Sequence, residues 1–174
     1  MNSQIYLRPL ALKDADVSYK WRNDPEVWSY TKFVLKDPIT AEVEKQWLLN
    51  KLKLTNEKRF AICVKNTNEY IGNIQLLDIG NDSAEFHLFI GEKKYWGKGI
   101  GYNASLMLLK YAFYNLNLKH IFLEVHSDNL AAYSIYKKVG FQPVSQQEDF
   151  IKMVINSSVL LATNWTIYFK STLI

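Results

Sequence analysis

The stretch Tyr95-Trp96-Gly97-Lys98-Gly99-Ile100-Gly101 sets glycines at alternate positions between an apolar run, Phe86 to Ile90, and a long helical pattern, Tyr102 to Leu116. A strand feeding a glycine loop that opens a helix aims several backbone N–H groups, and the positive end of the helix dipole, at one point. Such a point binds anions. A Cβ there would block both the positive-φ conformations and the close approach of a phosphate to the main chain. Spacing narrows the choice. A dinucleotide loop needs Gly-x-Gly-x-x-Gly, whereas Gly97-x-Gly99 is followed directly by Gly101 and Tyr102; a triphosphate loop needs Gly-x-x-x-x-Gly-Lys-Ser/Thr, which is absent. What remains is a loop for the pyrophosphate of a different cofactor, or a plain tight turn.

The residues after the loop decide between these. Leu123-Glu124-Val125-His126 reads as a strand, Asn129 leads a helix carrying Tyr133 and Tyr136, and Gly140-Phe141 closes it. Together with the loop, this run closely resembles the GCN5-related N-acetyltransferases (GNAT), in which a strand, an Asn-led helix ending in Tyr and a Gly-Phe pair follow the pyrophosphate loop. The resemblance is specific over Ala84 to Phe141, a third of the chain, and looser before it. Trp96 departs from the Gln or Arg usual in the family. Because the loop works through backbone N–H groups, that departure is expected to be tolerated.

The resemblance implies an α/β GNAT fold: a mixed, mostly antiparallel sheet splayed between two central strands and flanked by helices. It implies acetyl-coenzyme A as cofactor, held by Trp96, Gly97, Lys98, Gly99, Ile100, Gly101 and Tyr102, with Asn129 bonding the pantetheine arm and Tyr136 beside it. Glu124 and Tyr136 stand twelve positions apart, the interval between base and acid in the ribosomal-protein N-terminal acetyltransferases of the family. Acetyl transfer to an amine needs a neutral nitrogen and a proton for the departing thiolate. A carboxylate can act as base and a tyrosine as acid, each contributing about 10²–10⁴-fold. Glu124 is therefore the expected base, Glu85 its rival, and Tyr136 the expected acid. Plain alternatives stand beside these: Tyr136 as packing, Glu124 as a solvated strand residue, Asn129 as a helix cap.

In chain order, Ile5 to Leu10 alternates and stops near Pro9, as a first strand does. Asp14 to Trp21 reads as a short amphipathic helix, Asp24-Pro25 as a helix start, and Thr40 as the cap of a helix with Val43, Trp47, Leu48 and Leu52 on one face. Arg59 to Lys65 and Tyr70 to Asp78 form a hairpin across Asn66-Thr67-Asn68-Glu69. Ala84 to Ile90 follows, with Phe86, Leu88 and Ile90 on one face and Glu85, His87 and Phe89 on the other. In Ile121 to His126 the second face carries Phe122, Glu124 and His126. At the C-terminus, Gln142 to Gln147, resuming at Phe150 to Ile155, is read as one strand and Trp165 to Ser171 as the next; a competing reading makes Phe150 to Ile155 the last strand.

With 174 residues and 48% of them hydrophobic, the chain can bury one substantial core, so residues 1–174 are read as a single N-acetyltransferase domain. Cys63, the only cysteine, lies in an apolar run and reads as core; the few His and Cys suggest no metal. No stretch is long and apolar enough to span a membrane, the N-terminus lacks a signal pattern, and a cytoplasmic location is expected. The net charge of +4 is interspersed with acids, so no nucleic-acid partner is expected. The acceptor is read as a small-molecule or peptide amine, and the chain leaves room for a homodimer. Trp21, Arg22, Tyr30, Trp47 and His87 are expected to line the acceptor side. Their aromatic faces and Arg fork favour a 4-amino nucleotide sugar over a ribosomal-protein N-terminus or a polyamine. A non-catalytic acyl-coenzyme A-binding module is the alternative of another class, against which Glu124 and Tyr136 argue.

Overall fold

The structure, a computed structural model, describes residues 4–162. Strands β1 (Ile5–Pro9), β2 (Lys58–Val64), β3 (Tyr70–Leu77), β4 (Ser83–Ile90), β5 (His120–His126), β6 (Gln142–Gln147) and β7 (Phe150–Asn156) form a sheet in the order β1-β2-β3-β4-β5-β7-β6. Only β4 and β5 are parallel neighbours; every other pair is antiparallel. The helices are α1 (Ala15–Arg22), α2 (Pro25–Trp28), α3 (Ala41–Lys51), α4 (Ile100–Lys110), α5 (Leu130–Val139) and α6 (Ser157–Ala162). This is the mixed, mostly antiparallel α/β architecture that the sequence implies.

Local chemistry sets the boundaries. Asp24 accepts from the Glu26 amide at 3.0 Å with Pro25 in the first helical position, and the Thr40 hydroxyl accepts from the Val43 amide at 3.2 Å. Each side chain satisfies an amide that the helix cannot. The α4 helix starts at Ile100, two residues before the predicted start, and continues into a wider turn over Tyr111–Asn115.

Both faces of the sheet are covered. Along β2, Phe60, Ile62 and Val64 enter one apolar cluster, which includes Ala104 and Leu108 of α4 and Val139 of α5. The alternate residues Ala61 and Cys63 enter a second, with Ala15 and Trp21 of α1 and Leu48 of α3. A period of two with both phases apolar marks a strand buried on both sides. Cys63 is core, as expected.

Two expectations are corrected. In α3 the inward residues are Glu44 and Leu48, while Val43 and Leu52 are exposed. Glu44 can be buried because Ser18 donates to it at 2.8 Å and Arg22 pairs with it at 3.3 Å. The helix face is thus rotated by one position. Near the C-terminus, Gln142–Gln147 and Phe150–Asn156 are two strands of one hairpin, not a single interrupted strand. The expected strand Trp165 to Ser171 lies outside the described residues.

Candidate active site

The parallel pairing of β4 with β5 is short: Ser83, Ala84 and Glu85 face His120, Ile121 and Phe122. Beyond these, β4 stays with β3 as far as Ile90, and β5 stays with β7 as far as His126. The two strands therefore part from Phe86 and Leu123 onward. A wedge opens in the middle of the sheet, with two main-chain edges facing each other across it. Such edges carry donors and acceptors that seek partners.

The glycine loop lies at the open end of the wedge. Gly97 and Gly99 have φ of +72° and +74°, and a Cβ built on either meets nothing within 4 Å. Glycine is needed there for backbone conformation, and the space above the loop is open. The amides of Gly97, Lys98 and Gly99 have no partner among the described residues. The first bond of α4 runs from the Asn103 amide to the Gly99 carbonyl at 3.2 Å, so the amides of Ile100, Gly101 and Tyr102 precede the helical ladder. The Trp96 amide is taken by the Lys93 carbonyl at 3.0 Å. Its indole N–H donates to the Ile90 carbonyl at 2.8 Å and pins the loop to the end of β4. Gly101 differs from its neighbours: a Cβ would lie 3.3 Å from Ile135 and 3.4 Å from Leu88, so it sits where α4 packs on β4 and α5. Lys98 lies over the Tyr95 ring, and Lys138 over the Tyr102 ring.

A wedge with free edges and a loop with free amides suit a ligand that has a pyrophosphate at one end and an amide-bearing arm. Coenzyme A is such a ligand, and the residues present fit it.

On the α4–α5 side, the Asn129 side chain accepts from the Ala132 amide at 3.1 Å and caps α5, leaving its NH₂ donors available. Tyr136 is buried, with its ring edge-on to Phe86 at 5.7 Å and Phe141 at 5.8 Å. Burial pushes its hydroxyl well above the ordinary tyrosine range. That hydroxyl has no hydrogen-bond partner among the described residues.

The opposite face carries the carboxylates. Glu85 pairs with His87 at 3.0 Å on β4. Glu124, on the separated part of β5, pairs with Lys32 at 2.7 Å. Lys32 comes from the segment between α2 and α3, and its ammonium also lies 4.6 Å from the centre of the Phe150 ring. Along the same segment, the Trp28 ring meets Phe89 of β4 at 4.8 Å and the Tyr30 ring meets His126 of β5 at 5.7 Å. Residues 28–32 thus cross the wedge from one strand to the other. The bond to Glu124 raises the Lys32 ammonium pKa, with Glu85 and Glu148 adding to it.

The other residues expected on the acceptor side take different places. Trp21 is buried against Tyr70, Phe89 and Gly91 and donates its indole N–H to Glu92 at 3.0 Å. Arg22, paired with Glu44, lies between the rings of Trp47 at 4.4 Å, Trp28 at 5.0 Å and Phe33 at 5.6 Å. Those two, with Trp47, build the wall behind the crossing segment, whereas Tyr30 and His87 reach its rim. Sequence reasoning did not find Lys32 or Phe150. Lys32 is 92 positions from Glu124 in the chain, and no spacing rule links them.

The family model described as an acetyltransferase (GNAT) domain matches residues 4–142. An uncharacterized N-acetyltransferase, p20, of Bacillus licheniformis is 31% identical over 152 residues, 86% of this chain and 85% of that protein. The spermidine N(1)-acetyltransferase of Escherichia coli K12 is 32% identical over 140 residues, 79% of this chain and 72% of that one. Among solved structures, the spermidine N-acetyltransferase of Vibrio cholerae in complex with CoA and spermine superposes with a TM-score of 0.81 at 26% identity, over 92% of this chain and 99% of that one.

Proposed function

The chain belongs to the acetyltransferase (GNAT) family and is an acetyl-coenzyme A-dependent N-acetyltransferase; on that premise we propose that its acceptor is a small cationic primary amine of the polyamine class, entering on the Glu124 side of the wedge. The observation that carries this is the setting of Lys32: an ammonium held by Glu124, with Glu85 and Glu148 close enough to act on it and an aromatic face beneath it. A place built to hold one alkylammonium suits another. The relatives that acetylate spermidine agree with that chemistry.

When bound, acetyl-coenzyme A supplies the thioester carbonyl to which the amine adds. The amides from Gly97 to Tyr102 would bind its pyrophosphate, the Asn129 NH₂ would donate to its pantetheine arm, and the edges of β4 and β5 would hold that arm in the wedge. A Glu124 carboxylate oxygen takes the proton of the entering ammonium, directly or through water, and the Tyr136 hydroxyl gives a proton to the leaving sulfur. Burial keeps the Tyr136 hydroxyl protonated but also makes it a weaker acid, so it gives its proton only to a sulfur on which negative charge has developed. Glu85, paired with His87 and at the last paired position of β4, is the rival base.

A 4-amino nucleotide sugar is the second reading, favoured by the aromatic rim of Tyr30, His126 and Phe150. Its diphosphate would need a cation, and Arg22, the expected fork, is spent on Glu44. Lys32 and Lys152, the latter over the Phe122 ring and opposite Glu124 in the pairing of β5 with β7, are cations on that face.

The test is an acceptor panel with thiol detection: spermidine, spermine, a lysine-bearing peptide, a ribosomal-protein N-terminal peptide and a 4-amino nucleotide sugar. Spermidine or spermine should give the highest kcat/KM, and Glu124→Gln should lower it more than Glu85→Gln, by about 10²-fold. Turnover of the nucleotide sugar with none of the polyamines would overturn the acceptor class. The reverse ranking of the two variants would move the base to Glu85.

A further inference from the structure

Lys32 is bonded through its Nζ to the carboxylate that, on the reading above, takes the acceptor's proton. Its Nζ is 2.7 Å from Glu124, beyond the last residue of β5 that pairs with β4, and it feels Glu85 at the last paired position of β4. An ammonium influenced by one carboxylate on each strand lies over the gap between them. Lys32 is also two-thirds exposed, so its aliphatic stem can shift within the opening. The chain around it is anchored on both strands, by Trp28 on Phe89 and Tyr30 on His126. Upstream, Lys93 ties Asp24 and Glu26 at 2.8 and 2.7 Å to the turn that precedes the glycine loop. The chain leading to Lys32 is thus held at the mouth. A tethered amine so placed has a high effective concentration at the reacting carbon.

We propose that Lys32 is an acetyl acceptor in cis: in the absence of a free amine, the protein acetylates its own Lys32 Nζ. The inference rests on the reading that Glu124 receives the acceptor's proton. The step balances as the transfer to any amine does. Lys32 Nζ gives one proton to Glu124, and a C–N bond forms to the acetyl carbon as the thioester C–S bond breaks. The sulfur takes a proton from Tyr136, which regains one from the nitrogen as the amide forms, so that N-acetyl-lysine, coenzyme A and a protonated Glu124 are the products. The acetylated side chain carries no charge, so the ion pair to Glu124 is lost. The crossing segment then loses one of its contacts with β5, and Tyr30 on His126 remains.

Simple chemistry cannot imitate this, because the bond that places Lys32 for transfer also keeps it protonated. Toward a small reagent such as acetic anhydride, without coenzyme A, Lys32 should react more slowly than the exposed Lys36 and Lys53. Toward acetyl-coenzyme A without acceptor the order should reverse, with Lys32 acetylated about tenfold faster or more, as peptide mass mapping of the full chain would show. Glu124→Gln should move the two rates in opposite directions, faster with anhydride and slower with acetyl-coenzyme A. If that variant does not fold, Tyr136→Phe serves instead, slowing only the second reaction. First-order rates independent of protein concentration are expected. Lys32 acetylated no faster than Lys36, or at a rate that scales with protein concentration, overturns the proposal. Transfer to spermidine measured alongside separates the cases: activity there with Lys32 unmodified defeats this inference alone, and no transfer to any amine defeats the acceptor reading with it.

Discussion

Removing the Tyr136 hydroxyl should cost catalysis and little else. The ring is fixed by Phe86 and Phe141, and the oxygen has no partner among the described residues to leave unsatisfied. Tyr136→Phe should therefore lower turnover by about 10²-fold while changing unfolding free energy by less than about 1 kcal/mol. Thiol release and urea denaturation on the same sample give both numbers. A variant that loses stability and keeps its rate per folded molecule would make Tyr136 a packing residue. Glu124 and Lys32 show the opposite case, in which one bond serves two ends: it places an amine at the opening and satisfies a carboxylate that would otherwise wait there alone.

At the scale of the element, the loop and the start of α4 contain three glycines with two different reasons to be glycine. Gly99→Val puts a branched residue at φ +74° in open space. It should cost about 1–2 kcal/mol of backbone strain and sharply weaken coenzyme A binding, because the amides of Lys98 to Ile100 turn away from their common point. Gly101→Val has ordinary helical backbone but pushes into Leu88 and Ile135, so it should act through overpacking, about 1–3 kcal/mol. Calorimetric titration with coenzyme A, set against denaturation curves, separates the two. Equal affinity in a folded Gly99→Val protein would remove the loop from the cofactor site. On the rotated face of α3, Glu44 points inward because Ser18 and Arg22 meet it there, and the more hydrophobic Val43 is left exposed.

Over the whole molecule, burial places one ionisable hydroxyl under each face of the sheet. Tyr136 is raised by burial on the α4–α5 side. Tyr70, in the cluster with Trp21, is raised by burial first and by Asp14 next. Both fold with an affinity for their proton above that of the unfolded chain, whose ordinary value is 10.0. Their contribution to stability is therefore complete below about pH 10 and is lost as pH rises toward the folded values. Thermal midpoints should hold up to about pH 9, the ordinary value of the buried Cys63 thiol that burial also raises, and then fall increasingly as the tyrosines follow. In Tyr136→Phe the fall should be shallower, since one of the linked protons is gone; an identical alkaline slope in both proteins would count against its burial.

Local chemistry in the sequence determined the glycine loop, the caps at Asp24, Thr40 and Asn129, the strand faces that carry Glu85 and Glu124, and the order of strand, loop, helix and strand. Each depends on neighbours within a few positions: a φ that only glycine adopts freely, an amide two or three residues from a hydroxyl, an alternation of two. From these the order of elements and an anion-binding loop were legible; the fold and the cofactor followed from the family resemblance that the run Ala84 to Phe141 carries. The tertiary structure decided which residues meet across the wedge. Trp21 and Arg22 look like a ligand-binding pair in the sequence, but a buried indole against Gly91 and a guanidinium enclosed by Glu44 and three aromatic rings are products of how α1 and α3 pack on the sheet. Lys32 and Phe150 carry no local signal. They reach Glu124 because β5 parts from β4 and pairs with β7, and because the segment after α2 is anchored across the opening. The acceptor's chemistry is set by such distant meetings, and no pattern of neighbours along the chain encodes them.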